Sequence, residues 1–343
     1  MRRRRTWVIA AVVVVAALIG VPLWVVASNP SSTSGNQGVH TASPSDSPTP
    51  TPSSSTGTRK PIALGVDVSA NPSVAALRRY VATSGRRPAI VESFASFGEP
   101  ILYASQTAAV RSVGATLLVS WDPVSTRRQV TLADIAKGDY DSYLRRNARL
   151  VAAVGSPVMI RFAHEMNLKQ WPWSPRSQHV PDRTFVAAWR HVVTVFRQAG
   201  ATNARWVWSP NATCLGSCPF DGDYPGNAWV DYVALDGYNY SSTRGEPFES
   251  LAELFGSSYD DITALSDKPV LIASTGSVEQ GGSKAGWIRQ GLLHDVPIRL
   301  PRVVGVIYTD RRIEEPWQVT TSRSALKAWR AVVTSPLYAG RQP

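Results

Sequence analysis

The stretch Pro157-Val-Met-Ile-Arg-Phe-Ala-His-Glu-Met-Asn-Leu-Lys-Gln-Trp-Pro-Trp173 decides the fold. Its opening part, Pro157 to Ala163, is apolar but for one Arg and too short for a buried helix, so it predicts a buried parallel strand. On its N-terminal side, Tyr143, Leu144, Ala148 and Val151 recur at helical spacing ahead of Gly155. On its C-terminal side, Phe185, Trp189, Val192, Val193 and Phe196 do the same before Gly200, a residue suited to a left-handed helix cap. Helix, strand, helix is the unit of an α/β fold with a parallel sheet.

The same unit repeats along the chain. Further strands are predicted at Ile62 to Val68, Ala89 to Phe94, Ala115 to Trp121, Arg205 to Ser209, Tyr232 to Gly237, Pro269 to Ser274 and Val303 to Thr309. Eight strand-plus-helix units in roughly 280 residues match a (β/α)8 TIM barrel. A doubly wound sheet has a similar rhythm, but no G-x-G-x-x-G follows an early strand. Polar and aromatic residues also collect just after strand ends, in Trp121-Asp122, His164-Glu165-Met166-Asn167, Asp236-Gly237-Tyr238-Asn239 and Thr309-Asp310. That is the rim on which barrel enzymes build their sites.

Outside the barrel, residues 1–27 read as a signal anchor or signal peptide. Arg2 to Arg5 precede an uncharged stretch from Trp7 to Ala27, long enough to span a bilayer as a helix and longer than a usual cleavable signal core. An uncleaved anchor is the favoured expectation, with the arginines cytoplasmic and the remainder on the extracellular side of the cell membrane; a secreted, cleaved form is the alternative. Residues 28–59, dominated by Ser, Thr and Pro, read as a disordered stalk, and residues 60–338 as the barrel.

Composition limits the function classes. With 343 residues, 43% of them hydrophobic, and only 2 Cys, the chain is neither a disulfide-stapled miniprotein nor wholly disordered. The net charge of +11 owes four charges to Arg2–Arg5, and the other basic residues are scattered without a nucleic-acid module, so no nucleic-acid partner is expected. The chain is read as a monomer. Cys214 and Cys218 form a C-x3-C pair whose economical reading outside the cytoplasm is a small loop disulfide. The 5 His lack ligand spacing, so no metal is expected.

The strand that ends in Arg161, His164, Glu165 and Asn167, with Trp171 and Trp173 close behind, suits glycan chemistry. Carboxylic acids protonate glycosidic oxygens, and indole faces stack on sugar rings. By composition alone, a charged loop with two surface-packing tryptophans fits equally well.

Arg161-Phe-Ala-His-Glu-Met-Asn167, followed by Trp171-Pro-Trp173, closely resembles the fourth-strand signature of glycoside hydrolase family 26, whose best-known members are β-mannanases. The resemblance continues in Gly138-Asp-Tyr-Asp-Ser-Tyr143, Trp206-Val-Trp-Ser-Pro-Asn211, Tyr224-Pro-Gly226 and Val230-Asp-Tyr-Val-Ala-Leu-Asp-Gly-Tyr-Asn239. It implies a barrel that acts on β-mannan or a related β-linked polysaccharide by a retaining mechanism without a cofactor. Glu165 matches the acid/base, and His164 matches a histidine that helps hold the catalytic pair. Tyr238 matches a tyrosine near the nucleophile. Trp121, Trp171, Trp173 and Tyr238 are candidate sugar-stacking residues, with His164 and Asn167 beside them in the substrate site.

The family's second carboxylate is missing. Where the resemblance implies a nucleophilic Glu at the end of strand seven, Lys268-Pro-Val-Leu-Ile-Ala-Ser-Thr-Gly-Ser277 places Ser274, and Val278-Glu-Gln-Gly-Gly-Ser-Lys-Ala-Gly-Trp287 fixes the register. A serine without an adjacent base is a weak nucleophile and cannot offset the charge of an oxocarbenium-like transition state, so standard retaining hydrolysis should fall by orders of magnitude. Glu279 could substitute only from beyond the Gly-Ser turn, where a solvent-facing loop charge is the better expectation. Asp236 or Asp310 could activate water in an inverting reaction. Three roles stay open: an attenuated hydrolase, a carbohydrate-binding pseudoenzyme of the cell surface, or an envelope scaffold.

Overall fold

The computed structural model describes residues 60–213 and 218–341. The anchor and stalk expected over residues 1–59, and Cys214, lie outside the described residues. Eight parallel strands close into a barrel in sequence order. They are β1 (Ala63–Asp67), β2 (Ile90–Ser96), β3 (Thr116–Asp122), β4 (Val158–Phe162), β5 (Ala204–Trp208), β6 (Tyr232–Asn239), β7 (Val270–Ser277) and β8 (Val303–Thr309). Every expected strand is present. β6 and β7 run further than their sequences suggest, because their ladder continues past a bulge to Asn239 and Ser277.

Alternation along each strand divides the core in two. One set of side chains, among them Ala63, Ile90, Leu118, Met159, Val207, Ala234, Leu271 and Ile307, meets inside the barrel. The other set faces the helices: Leu64, Val91, Val119, Ile160, Trp206 and Val306 belong to the larger outer cluster. The lumen is tight enough that a Cβ on Gly65 would sit 2.8 Å from Ile307 and 2.9 Å from Ile90, so β1 needs glycine there. Side chains fill this barrel as a core, and the open end lies where the strands stop.

The helices form because their apolar residues share one face. The helix Asp182–Gln198 buries Phe185, Ala188, Trp189, Val192, Val193 and Phe196 against the barrel. Each large side chain so buried contributes roughly 1.5–3 kcal/mol. The helix Asp141–Val154 buries Leu144, Ala148 and Val151 and stops at Gly155, whose φ of 73° is the left-handed conformation that ends the hydrogen-bond ladder.

Candidate active site

The inward parity that places Ala63, Ile90, Leu118, Met159 and Ala234 in the barrel core carries on, two and four residues later, to polar side chains. Asp67, Glu92, Ser120, Arg161, Asp236 and Tyr238 therefore point into the mouth. Arg161 is buried and central: Nη1 donates to Asp236 Oδ1 at 2.6 Å, Nη2 to Glu92 Oε1 at 2.5 Å and Nε to Ser120 Oγ at 2.8 Å. On the β1 side, Arg311 Nε donates to both oxygens of Asp67, at 2.8 and 2.7 Å, and its guanidinium lies 5.1 Å from the centre of the Phe94 ring.

Three buried carboxyls thus face two guanidiniums. Burial, with Glu92 as a like charge, pushes Asp67 up to about 7 against the pull of Arg311. Burial likewise pushes Asp236 up to about 7, opposed by Arg161. One oxygen each of Glu92 and Asp236 has no hydrogen-bond partner among the described residues. An excess of buried acids keeps a proton more readily than it keeps a full set of charges. Burial alone would depress the Arg161 pKa, but Asp236 and Glu92 outweigh it and hold the guanidinium charged.

Glu165 stands just beyond β4 on a distorted turn. Ala163 and Glu165 have φ of 48° and 53°, left-handed values uncommon for residues with a side chain. Such backbone costs about 1–3 kcal/mol per residue and persists only where surrounding contacts impose it. Here the Glu165 N–H donates to Ser209 O at 2.7 Å. Its carboxylate accepts from Trp171 Nε1 and from Asn211 Nδ2, both at 2.7 Å.

Around it, Asn167 exchanges hydrogen bonds with the Asn211 backbone, its Oδ1 accepting from the Asn211 N–H and its Nδ2 donating to the Asn211 carbonyl, both at 2.9 Å. Trp173 donates Nε1 to the His164 carbonyl at 2.7 Å and stacks on Trp171, 4.9 Å between centroids and 7° from parallel. His164 Nδ1 lies 3.3 Å from Asp122 Oδ1, an ion-pair separation without hydrogen-bond alignment. Burial and Arg161 push the imidazole pKa down, but Asp122 and Glu165 prevail and it ends raised.

Ser274 reaches the mouth through a bulge. Leu271 and Ala273 both belong to the interior cluster, Leu235 pairs with Ile272, and Asp236 pairs with Ser274. Ala273 is the surplus residue, and it flips the parity so that Ser274 also faces inward. There its Oγ lies 2.5 Å from the Tyr238 hydroxyl, which lies 2.7 Å from Thr309 Oγ1. Burial raises the Tyr238 pKa despite these two partners. Behind Tyr238, Trp317 packs at 4.8 Å between centroids, and Tyr240 closes the group at 5.1 Å from Trp317. The loop carrying Trp317 is clamped by Lys284, whose Nζ donates to the carbonyls of Pro316, Trp317 and Gln318.

These positions correct several expectations. Trp121 has outward parity, is 0% exposed and packs among Phe97, Tyr143, Phe162 and Phe196, so it has no face for a sugar. Trp173 is almost fully buried and supports Trp171 from below, which leaves Trp171 as the partly exposed indole. Asn167 is buried with its amide spent on the Asn211 backbone, which makes it a positioning residue. Asp310 accepts from the Val319 N–H at 2.8 Å and interacts with Lys284, outside the Arg161 network. Glu279 accepts from Thr321 Oγ1 at 2.7 Å, also away from Glu165. Cys218 is disulfide-bonded, and Cys214 is the only other cysteine in the sequence.

Asp67, Glu92, Ser120, Asn211, Arg311 and Trp317 went unrecognised in the sequence. The first three could have been found by counting inward parity along each strand; Asn211, Arg311 and Trp317 sit on loops that carry no such signal. A separate cavity, lined by Tyr80, Arg86, Arg87 and Tyr338 among others, opens at the opposite end of the strands and shares none of these groups.

Comparison with known proteins agrees with this geometry. The profile of Glycosyl hydrolase family 26 matches residues 137–287. Endoglucanase H of Acetivibrio thermocellus is 31% identical over 278 residues, covering 79% of this chain and 30% of that protein. A mannan endo-1,4-beta-mannosidase of Bacillus subtilis is 31% identical over 136 residues, 38% of this chain and 33% of that protein. The chain therefore spans between about a quarter and a third of the length of the curated relatives it matches. Among solved structures, the catalytic domain of a Bacillus sp. JAMB-750 endo-beta-1,4-mannanase superposes with a TM-score of 0.61 at 17% identity, over 82% of this chain and 87% of that one. A Bacillus subtilis mannanase gives 0.58 at 17% identity, over 81% and 86%. At such identities the structures attest the fold, while the profile and the sequence relatives supply the lineage: residues 137–287, from the helix before β4 to the segment after β7, match glycosyl hydrolase family 26.

Proposed function

We propose that the mouth of the barrel takes a β-linked polysaccharide of the β-mannan or β-glucan class, with Glu165 as the proton-transferring acid/base and Ser274 where a retaining hydrolase carries its nucleophile. The observation that supports this most is the pairing of two prepared features. The Glu165 carboxylate is held by Trp171 and Asn211, and Ser274 is turned inward by the bulge to meet Tyr238. Trp171, backed by Trp173, supplies the stacking face.

A retaining hydrolase needs a second carboxyl about 5–5.5 Å from the first, and an inverting one needs it roughly 6.5–9.5 Å away. Asp67, Glu92 and Asp236 are each tied to an arginine, and Glu279 and Asp310 are engaged elsewhere. The reading is therefore a hydrolase whose standard reaction is severely reduced. The decisive assay is reducing-sugar release from β-mannan and mixed-linkage β-glucan by the protein and by its Ser274→Glu variant. Cleavage by the variant alone supports it; cleavage by the wild type that Glu165→Gln abolishes would mean that another carboxyl acts.

A second reading, a carbohydrate-binding pseudoenzyme, is favoured by the partners of Ser274 and Tyr238, which are hydroxyls and include no base that could activate the serine. Glycan retention on an affinity gel without any cleavage product supports it. The apolar Trp7–Ala27 stretch behind Arg2–Arg5 is proposed to hold the barrel on the extracellular side of a membrane. Release of the intact chain into the medium would contradict that placement.

A further inference from the structure

We propose that this site forms β-glycosidic bonds, transferring sugar with inversion from an α-configured glycosyl donor that bears an anionic leaving group. The inference rests on the roles proposed above for Glu165 and Ser274. Its separate support is the chain of hydroxyls around Ser274 and the hydrogen bonding of Glu165.

In a retaining reaction the covalent intermediate is α-linked to the nucleophilic carboxylate, and the acid/base then removes a proton from the hydroxyl that attacks the opposite face. An α-donor with a compact leaving group reproduces that intermediate without any covalent bond to the protein. The leaving group would occupy the place of the absent carboxylate, because the serine hydroxyl ends where the glutamate Cγ methylene would be and leaves the volume of the carboxyl group free.

Thr309, Tyr238 and Ser274 bring three hydroxyl protons to the two hydrogen bonds that join them. When the chain runs from Thr309 through Tyr238 to Ser274, the Ser274 proton is left over and can be donated into the mouth. A departing anion would accept it. Arg311, two residues past Thr309, adds positive charge at the same rim, with only its Nε engaged by Asp67 among the described residues.

Glu165 is prepared as a base. Both of its oxygens accept hydrogen bonds from N–H groups, the pattern of an ionised carboxylate, and each keeps a lone pair for an acceptor sugar's hydroxyl. In the step, the acceptor oxygen bonds to the anomeric carbon from the β face as the bond to the leaving group breaks on the α face. The bonding pair departs with the leaving group, and the acceptor's proton passes to Glu165 and then to solvent. The β-linked product persists because its hydrolysis would need the missing carboxylate.

The test incubates the protein with α-mannobiosyl or α-cellobiosyl fluoride and an aryl β-cellobioside acceptor, following fluoride release and the anomeric configuration of the product. The expected result is acceptor-dependent fluoride release with a new β-linkage. Glu165→Gln should slow it by on the order of 10²–10⁴-fold, and Ser274→Ala should slow it several-fold. Background fluoride release in the presence of acceptor, or release unaffected by Glu165→Gln, overturns the proposal. If Ser274→Glu hydrolyses β-glycan while the wild type transfers nothing, transfer alone fails. If the folded Ser274→Glu variant is also inert on β-glycan, the assignment of the site fails with it.

Discussion

The Tyr238 hydroxyl lies 2.5 Å from Ser274 Oγ and bridges it to Thr309 across three neighbouring strands. One phenol thus joins β6, β7 and β8 at the rim, and its removal leaves two hydroxyls without that partner. Tyr238→Phe is expected to cost about 1–3 kcal/mol of stability. Urea unfolding monitored by tryptophan fluorescence measures it, and an unchanged midpoint would count against the bridge.

Asn167 reaches Glu165 only through Asn211. In the Ser274→Glu background, Asn211→Ala removes the amide that holds the carboxylate, and Asn167→Ala frees the Asn211 backbone. Each should lower kcat on β-glycan by roughly tenfold. The double variant should lose little more than either single one, because residues acting through one contact are not additive. A double-mutant cycle with fully additive losses would show that the two act separately.

Two tryptophans near the same rim should respond oppositely. Trp121→Ala empties a core site and should destabilise the barrel by about 3–5 kcal/mol. Trp171→Ala should leave most of the stability in place and weaken glycan binding by roughly tenfold. Thermal melting and affinity electrophoresis on the two variants separate these effects; glycan loss for a folded Trp121→Ala protein would contradict the outward orientation.

Stability should fall between about pH 4 and 7. Asp67, Asp223 and Asp236 are raised from 3.8 to about 7 by burial, and Asp310 to about 6. Over that range the folded chain binds more protons than the unfolded chain, so each step up in pH weakens it. Lys284 works the other way: burial lowers it from 10.5 to about 8, so its part of the stability recovers as pH rises from 8 to 10.5. Urea midpoints at pH 5, 7.5 and 9.5 should pass through a minimum near 7.5, and a maximum there would refute the balance described.

The barrel was legible because its signal is periodic and repeated. All eight strands follow from apolar runs alternating with helical faces, and the extra length of β6 and β7 was lost because Asn239 and Ser277 read as loop residues. Glu165, Trp171, Tyr238 and Ser274 are legible through the resemblance of their strings to family 26, because residue type alone leaves a charged loop with packing tryptophans equally open. The orientation of Trp121 was missed because an aromatic at a strand end suits a cleft as well as a core; only the parity shared with Val119 decides it. Arg311 and Asn211 meet their partners, Asp67 and Glu165, across long stretches of chain, and no local pattern encodes such a meeting.

The surplus Ala273 makes β7 behave like a reading frame. Downstream of it the inward set is Ser274 and Gly276; were Ala273 paired in a regular ladder, the inward set would be Thr275 and Ser277, and the rim would display a different alphabet from an unchanged sequence. Ironing out the bulge with Ala273 kept would therefore redirect every later side chain of the strand, whereas deleting Ala273 together with its bulge would leave Ser274 and Gly276 facing inward. Changing Ser274 alone would rewrite a single letter and leave the frame that presents it untouched.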